Sequence, residues 1–458
     1  MKPILRMARR RVCLALGSLF FTAACALAQS VTPVIAVLNP PNAAAQQSKP
    51  YVVLVSLDGF RYDYAERYGA KNLLALARRG ASAPMGMIPS YPSVTFPNHY
   101  AIVTGLYPEH HGIVANNFYE PATKRKYSYT DAASVQDGSW YGGTPLWVLA
   151  EQQGMRSACF FWPASEAEIQ GKRPSYYVKY DGAIPDETRV EQILAWLKLP
   201  PDLRPHFITL YFSEVDYAGH KHAPESPEVG EAVRHVDAMV GKLAAGFSEL
   251  RLPVDLFVVS DHGEAATQGG WINLDQFADL SHFEAAGNVV TSLLYPDSEA
   301  AAEKAYEELR GASSKFKVYR RASLPPRLHY NDNPRIGDPV VVATGPYYIR
   351  AHSALSFGDP SNTDPGQHGY DPEVVPAMKA IFYAAGPNIR SGVVLPPFEN
   401  IHVYPLIADI LGLHVGPIDG KLSILQGILK NKRASLAAPL SGTGASTGVR
   451  FDFFSPAP

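Results

Sequence analysis

The chain has 458 residues, 46% of them hydrophobic and 18% charged, with 41 Lys and Arg against 43 Asp and Glu. That length is enough for one large α/β domain carrying an insertion. The balanced charge offers no basic stripe of the kind duplex nucleic acid demands, which argues against a dedicated DNA or RNA binder.

In chain order, residues 1–28 are expected to be an export signal. The basic start MKPILRMARRR runs into VCLALGSLFFTAACALA, which is too short and too Ala-rich for a membrane span, and Ala26-Leu27-Ala28 offers a cleavage site before Gln29. The Arg9 to Arg11 run leaves both general and twin-arginine export open. A lipid anchor would use Cys25, but Thr22 stands where a large aliphatic residue is expected. The periplasm is the expected compartment, with secretion or an anchor as alternatives. Removing five basic residues with the signal shifts 41 against 43 to 36 against 43, so the mature chain is mildly acidic. Cys13 and Cys25 leave as well, and Cys159 alone cannot form an intramolecular disulfide.

Residues 29–50, rich in Pro and Ala, are expected to be a linker, residues 51–432 the main domain, and residues 433–458, rich in Ser, Gly and Ala, a flexible tail. Apolar runs predict strands at 51–57, 157–161, 207–212, 254–260 and 380–384. Helical patterns fall between several of them, at 72–79, 190–197 and 226–243, which predicts a mostly parallel sheet with helices on both faces. Residues 285–350 form an expected inserted subdomain, a small βαβ-type excursion with segments at 289–295, 298–309, 316–320 and 340–349. No internal repeat stands out.

Seven residues in separate stretches then suggest a two-metal centre. They are Asp58 in VVLVSLDGF, Thr95 in YPSVTFPNHYAIVTG, Asp216 and His220 in YFSEVDYAGH, Asp261 and His262 in VVSDHGE, and His368 in PGQHGYD. Each Asp ends or lies just past an apolar run that reads as a strand, and such strand ends converge on one crevice in α/β sheets. Singly, each motif is more often a structural or solvated feature than a ligand. Together, three Asp, three His and one hydroxyl match the ligand set that zinc accepts.

These motifs, in this order, resemble the nucleotide pyrophosphatase/phosphodiesterase family of the alkaline phosphatase superfamily, and among its members the compact bacterial ones. The resemblance covers nearly the whole mature chain and implies an alkaline-phosphatase-like α/β fold, a central mostly parallel sheet flanked by helices with a small α+β insertion. It implies two Zn²⁺ per chain, one held by Asp58, Thr95, Asp261 and His262, the other by Asp216, His220 and His368. Thr95 would also be the nucleophile, forming a covalent phosphothreonine, with the second zinc stabilising the leaving oxygen. Asn116, in IVANNFY, resembles the family's donor to a non-bridging phosphate oxygen. The helix expected after Thr95 would aim free N–H groups at the same phosphate, whereas Asn98 and His99 are expected to be helix or core residues.

Specificity rests on fewer residues. TFPNH lacks the Cys or Ser and the Arg of a sulfatase frame, and Lys172-Arg173 is adjacent rather than the K-x-R pair of threonine-type monoesterases. Phe96 and Tyr180, in YVKYDG, resemble a base-stacking slot, although both also suit an ordinary core. The expected substrate is therefore a nucleotide diester or pyrophosphate, cleaved to a nucleoside 5′-monophosphate. Alternatives on the same metals are a lipid- or choline-type phosphodiesterase and a phosphonate hydrolase. A non-catalytic binding protein is disfavoured because every expected ligand is present. Neither the oligomeric state nor the physiological substrate follows from the sequence.

Overall fold

The computed structural model describes residues 33–268, 271–351 and 364–430. Among them, a central sheet has nine strands: β1 (Ile35–Ala36), β2 (Tyr51–Leu57), β3 (Ala81–Ser82), β4 (Ser157–Phe160), β5 (Tyr176–Val178), β6 (Phe207–Phe212), β7 (Val254–Val259), β8 (Phe382–Ala385) and β9 (Val393–Val394). Their spatial order is β1-β5-β4-β6-β2-β7-β8-β3-β9. The run from β5 to β7 is parallel throughout, while β8 pairs antiparallel with both β7 and β3. The fold is thus the expected α/β sheet flanked by helices.

Strand β2 shows why the sheet is buried on both sides. All seven of its residues are buried, and successive side chains of a strand point to opposite faces. Val52 and Leu54 join one apolar cluster, with residues of helices Thr95–Thr104, Leu146–Gln152 and Val403–Leu411. Tyr51, Val53, Val55 and Leu57 join another, with residues of Lys71–Arg79, Asp186–Leu197 and Pro227–Leu250. Each apolar run is therefore sandwiched between two helical layers.

Differences from the expected elements have local causes. The strand expected at 380–384 is displaced to Phe382–Ala385, because Ala380 bridges to Arg61 and Met87 outside β8. The helix expected at 190–197 begins four residues earlier, at Asp186, with Pro185 at its N-cap and Asp186 and Glu187 in its first turn. The part of the expected linker that is described, residues 33–50, is packed: β1 extends the sheet edge beside β5, and buried Asn42 donates to Pro201 O and Arg204 O at 2.9 and 2.7 Å. Within the expected insertion, a four-stranded antiparallel sheet runs in the order Phe283–Gly287, Thr291–Pro296, Val340–Ala343, Phe316–Tyr319. Helix Glu299–Leu309 links two strands that flank Val340–Ala343, giving a split βαβ unit with an extra edge strand. The expected segment 340–349 ends as a strand at Ala343, and Tyr348–Arg350 pairs elsewhere, with Trp271–Asn273.

The expected signal and tail lie outside the described residues. No described helix is long and apolar enough to cross a membrane. Cys159 is a buried free thiol on β4.

Helix Lys71–Arg79 starts at Ala70, which has no capping side chain. Its cap comes from another helix: the buried carboxylate of Asp237 accepts from Asn72 N at 3.1 Å and Leu73 N at 2.8 Å, and also from the Asn72 side chain. Removing it leaves two helix N–H donors without their acceptor, that of Leu73 in a buried position. Asp237→Ala should therefore lower unfolding stability by about 1–3 kcal/mol, seen as a lower urea midpoint at unchanged slope; an unshifted midpoint would show that the inter-helix cap has no weight.

Candidate metal centre and substrate cavity

The three parallel strands β6, β2 and β7 end side by side, with Leu57 paired to Phe212 and Ser56 to Val259. Each delivers a carboxylate at or just past its end. Asp58 follows β2, Asp261 follows β7 by two residues, and Asp216 lies in helix Glu214–His222, which begins two residues after β6. The backbone ties the loops together: Asp58 N donates to Phe212 O at 2.9 Å and Asp216 N to Asp58 O at 3.1 Å. Gly59 fits this crossing because a Cβ there would lie 2.7 Å from Asp216 Cα. Its φ of +67° also suits glycine.

Helix Thr95–Thr104 brings Thr95 in as its first residue, after extended Val94, and ends at left-handed Gly105. Thr95 Oγ1 lies 3.4 Å from His262 Nε2, which is also 2.9 Å from Asp261 Oδ2 and 3.7 Å from Asp58 Oδ1. The rings of His262 and His368 stack with centroids 3.6 Å apart. His368 Nε2 then meets His220 Nε2 at 3.2 Å, and Asp216 Oδ1 lies 3.5 Å from His220 Nε2 and 3.7 Å from His368 Nε2. All seven sequence-predicted ligand candidates thus meet in one cluster.

The donor set fits divalent metal. Asp58 Oδ1, Asp216 Oδ1 and Asp261 Oδ2 are buried acceptors without a hydrogen-bond partner. Each histidine places Nδ1 near a backbone carbonyl: Gly366 O for His220 at 3.1 Å, Ser93 O for His368 at 3.1 Å and Gly263 O for His262 at 3.2 Å. With Nδ1–H donating there, the Nε2 lone pairs face the centre. Lone pairs and carboxylate oxygens at such separations repel unless a cation lies between them.

The charges in the cluster perturb one another accordingly. Burial, reinforced by Asp261 and Asp216, pushes the Asp58 carboxyl well above its usual range. Burial works the same way on Asp261, but His262 and His99 outweigh it and hold that carboxyl well below. Burial, then His262 and His220, drives His368 well below the usual imidazole value, whereas His220, where burial is outweighed chiefly by Asp216, rises to about 10. Such opposed shifts mark a crowded site of carboxylates and imidazoles.

Asn116 accepts from Phe96 N through Oδ1 at 2.9 Å. One of the helix N–H groups expected to face phosphate, that of Phe96, is thereby taken up by Asn116. Asn98 donates to Pro92 O and Val94 O and accepts from Asn400. His99 contacts Thr95 O at 2.9 Å and Ser56 Oγ at 2.8 Å. Both are buried and bonded within the helix region, while His99 Nδ1 also comes within 3.4 Å of Asp261 Oδ2, and Asp58, His99 and Asp261 each offer a ligand atom within 4.8 Å of one another.

Beside the cluster opens a cavity of about 740 Å³, whose walls include Thr95, Phe96, Asn116, Tyr180, Asp216 and His368. Phe96 stands edge-on to Tyr127 and Tyr129, and half-exposed Tyr180 edge-on to Phe161 and Tyr211. Neither Lys172 nor Arg173 lines this cavity; its lysine is Lys179, which donates to Gln136 Oε1 at 2.8 Å. Two groups are not marked by sequence reasoning. Tyr211 donates to Asp58 Oδ2 at 2.6 Å and so fixes which carboxylate oxygen faces inward; a tyrosine within an apolar strand carries no signal of that. Glu264 is fully buried near His220, where an acid after D-H-G ordinarily belongs to a solvated loop.

Comparison with known proteins places the chain in a family. The family described as type I phosphodiesterase / nucleotide pyrophosphatase matches residues 52–371. Human ectonucleotide pyrophosphatase/phosphodiesterase family member 1 is 37% identical over 409 residues, 86% of this chain and 43% of that protein. A venom phosphodiesterase of Crotalus durissus collilineatus is 36% identical over 83% of this chain and 46% of its own length. The chain therefore spans less than half the length of these curated relatives. A solved structure of murine ectonucleotide pyrophosphatase/phosphodiesterase 5, an inactive threonine-to-alanine variant in complex with AMP, superposes with a TM-score of 0.77 at 29% identity, covering 83% of this chain and 100% of that one. With the match extending over most of its length, the chain belongs to the type I phosphodiesterase / nucleotide pyrophosphatase family, within the alkaline phosphatase superfamily.

Proposed function

We propose that this protein is an exported two-zinc phosphodiesterase that hydrolyses nucleotide phosphodiesters and pyrophosphates to nucleoside 5′-monophosphates through a phosphothreonine. The observation that carries this reading is the position of the Thr95 hydroxyl: it lies 3.4 Å from His262 Nε2 and also lines the aromatic cavity. Asp58, Thr95, Asp261 and His262 would hold one zinc, and Asp216, His220 and His368 the other. When bound, zinc acts as a Lewis acid that favours the threonine alkoxide and neutralises charge on phosphoryl oxygens.

Thr95 Oγ attacks phosphorus, and the bond to the leaving alcohol or phosphate breaks; water then cleaves the Thr95–phosphate bond and releases the monophosphate. Asn116, its oxygen held by Phe96 N, presents its amide nitrogen to a non-bridging oxygen, where negative charge grows. Phe96 and Tyr180 grip the base from two walls. A diester carries one charge fewer than a monoester, so a cavity walled by aromatic side chains and lined by a single lysine suits it. The AMP bound by the murine relative and the names of the other relatives support the nucleotide class.

Thr95→Ala should fold normally yet lose nearly all hydrolysis of a nucleotide nitrophenyl diester, while Thr95→Ser keeps part of it. Activity of the alanine variant within about tenfold of wild type, a difference of only ~1.4 kcal/mol, would refute the nucleophile.

Metal analysis of purified protein should find about two zinc per chain. Chelation should abolish activity reversibly, and His368→Ala should empty one site selectively. A single metal per chain, or full occupancy in that variant, would refute the two-metal reading.

Phe96→Ala or Tyr180→Ala should reduce kcat/KM for the nucleotide diester by roughly five- to 150-fold, the equivalent of about 1–3 kcal/mol of base stacking, while sparing bis-nitrophenyl phosphate. Equal losses on both substrates would assign these aromatics to the core and leave the phosphodiester class open.

A further inference from the structure

One buried acid near the centre has no part in the proposed reaction. Glu264 is fully buried, and neither of its carboxylate oxygens has a hydrogen-bond partner. Oε1 lies 3.8 Å from His220 Nε2, the nitrogen that the Nδ1 contact with Gly366 leaves facing the centre. Asp216, His220 and Glu264 each offer a ligand atom within 4.8 Å of one another.

The local chain is shaped around this carboxyl. Helix Glu214–His222 carries Gly219 between Asp216 and His220, and a Cβ at Gly219 would collide with Glu264 Oε2. The nearby guanidinium of Arg61 is committed elsewhere, to Asp63 at 2.6 Å and Glu225 at 3.2 Å. A fully buried carboxylate is costly unless paired or metal-bound. Here the glycine admits it to the edge of a cation site.

We propose that Glu264 is a further ligand of the cation held by Asp216, His220 and His368, an inference that rests on the two-metal reading above. That site then carries two carboxylates, as the Asp58–Asp261 site does, and four carboxylates balance two dications.

Zinc titration of the metal-stripped full chain by calorimetry tests this without reference to activity. Wild type should show two sites. Glu264→Gln, nearly isosteric, should weaken one of them by about ten- to a hundredfold and leave the other unchanged. Its metal-free form should melt no lower than metal-free wild type, because the isosteric side chain fills the same space and neither Glu264 oxygen has a hydrogen bond to lose, whereas added zinc should raise its Tm less. Glu264→Asp, which keeps the charge but withdraws it by one methylene, is the second variant and should show the same site-selective loss. In a zinc-loaded crystal a Glu264 oxygen should lie about 2.0–2.2 Å from the ion.

Two full-affinity sites in both variants would overturn the ligand assignment. A metal-free Glu264→Gln protein that melts well below wild type, with zinc affinity unchanged, would overturn it in favour of a structural role. Wild type that binds no zinc would overturn the two-metal reading itself.

Discussion

Carboxylates delivered by adjacent parallel strands are the constraint on which the rest of this structure depends. Neighbouring strands lie about 4.8 Å apart, so acids at the ends of β2 and β7, with Asp216 tied by its backbone to Asp58, are forced into close company. Asp58 and Asp261 are fully buried. Like charges so placed repel strongly in a medium of low polarisability. Tyr211, Ser260 and Gly59 donate to part of this charge. The oxygens that remain unpartnered turn inward, toward the imidazole nitrogens. Such a site favours a divalent cation over any arrangement of the protein's own hydrogen bonds.

The surrounding fold supplies orientation. Backbone carbonyls of Ser93, Gly263 and Gly366 each face the Nδ1 of a histidine, and this selects the ring nitrogen that points inward. Ser93 lies two residues before Thr95, so the segment that orients His368 is the one that delivers the hydroxyl. His99 reaches back one helical turn to Thr95 O while contacting Ser56 at the end of β2. The position of Thr95 is thus coupled to the sheet through the His99 side chain.

The cavity combines polar groups of the cluster with aromatic side chains. Its lining brings Asp216, His368 and Thr95 together with Phe96, Phe161, Trp162 and Tyr180. Asn116, also in the lining, is fixed through its oxygen by Phe96 N. On the proposed reading, such a lining would suit a charged phosphoryl group with an attached ring system. It also makes the aromatic walls separable from the reacting centre in experiment.

Local sequence determined the parts of this protein that depend on short-range pattern. The apolar runs 51–57 and 207–212 are strands at their expected bounds because a strand buried on both faces must be continuously apolar. The acids after such runs were legible because parallel strands place their C-terminal ends on one side of the sheet. Family resemblance, rather than spacing, suggested roles for Thr95, Asn116, Phe96 and Tyr180. Only the tertiary structure decided the contacts made between distant segments: the cap that Asp237 gives to Lys71–Arg79, the hydroxyl of Tyr211 on Asp58, and the entry of Glu264 over Gly219. The same holds for residues 33–50, whose Pro- and Ala-rich composition suggested a linker although Asn42 anchors them against residues 201–204. A side chain's type records its polarity, but whether it meets water, a cation or a bare N–H depends on which segments the folded chain brings beside it.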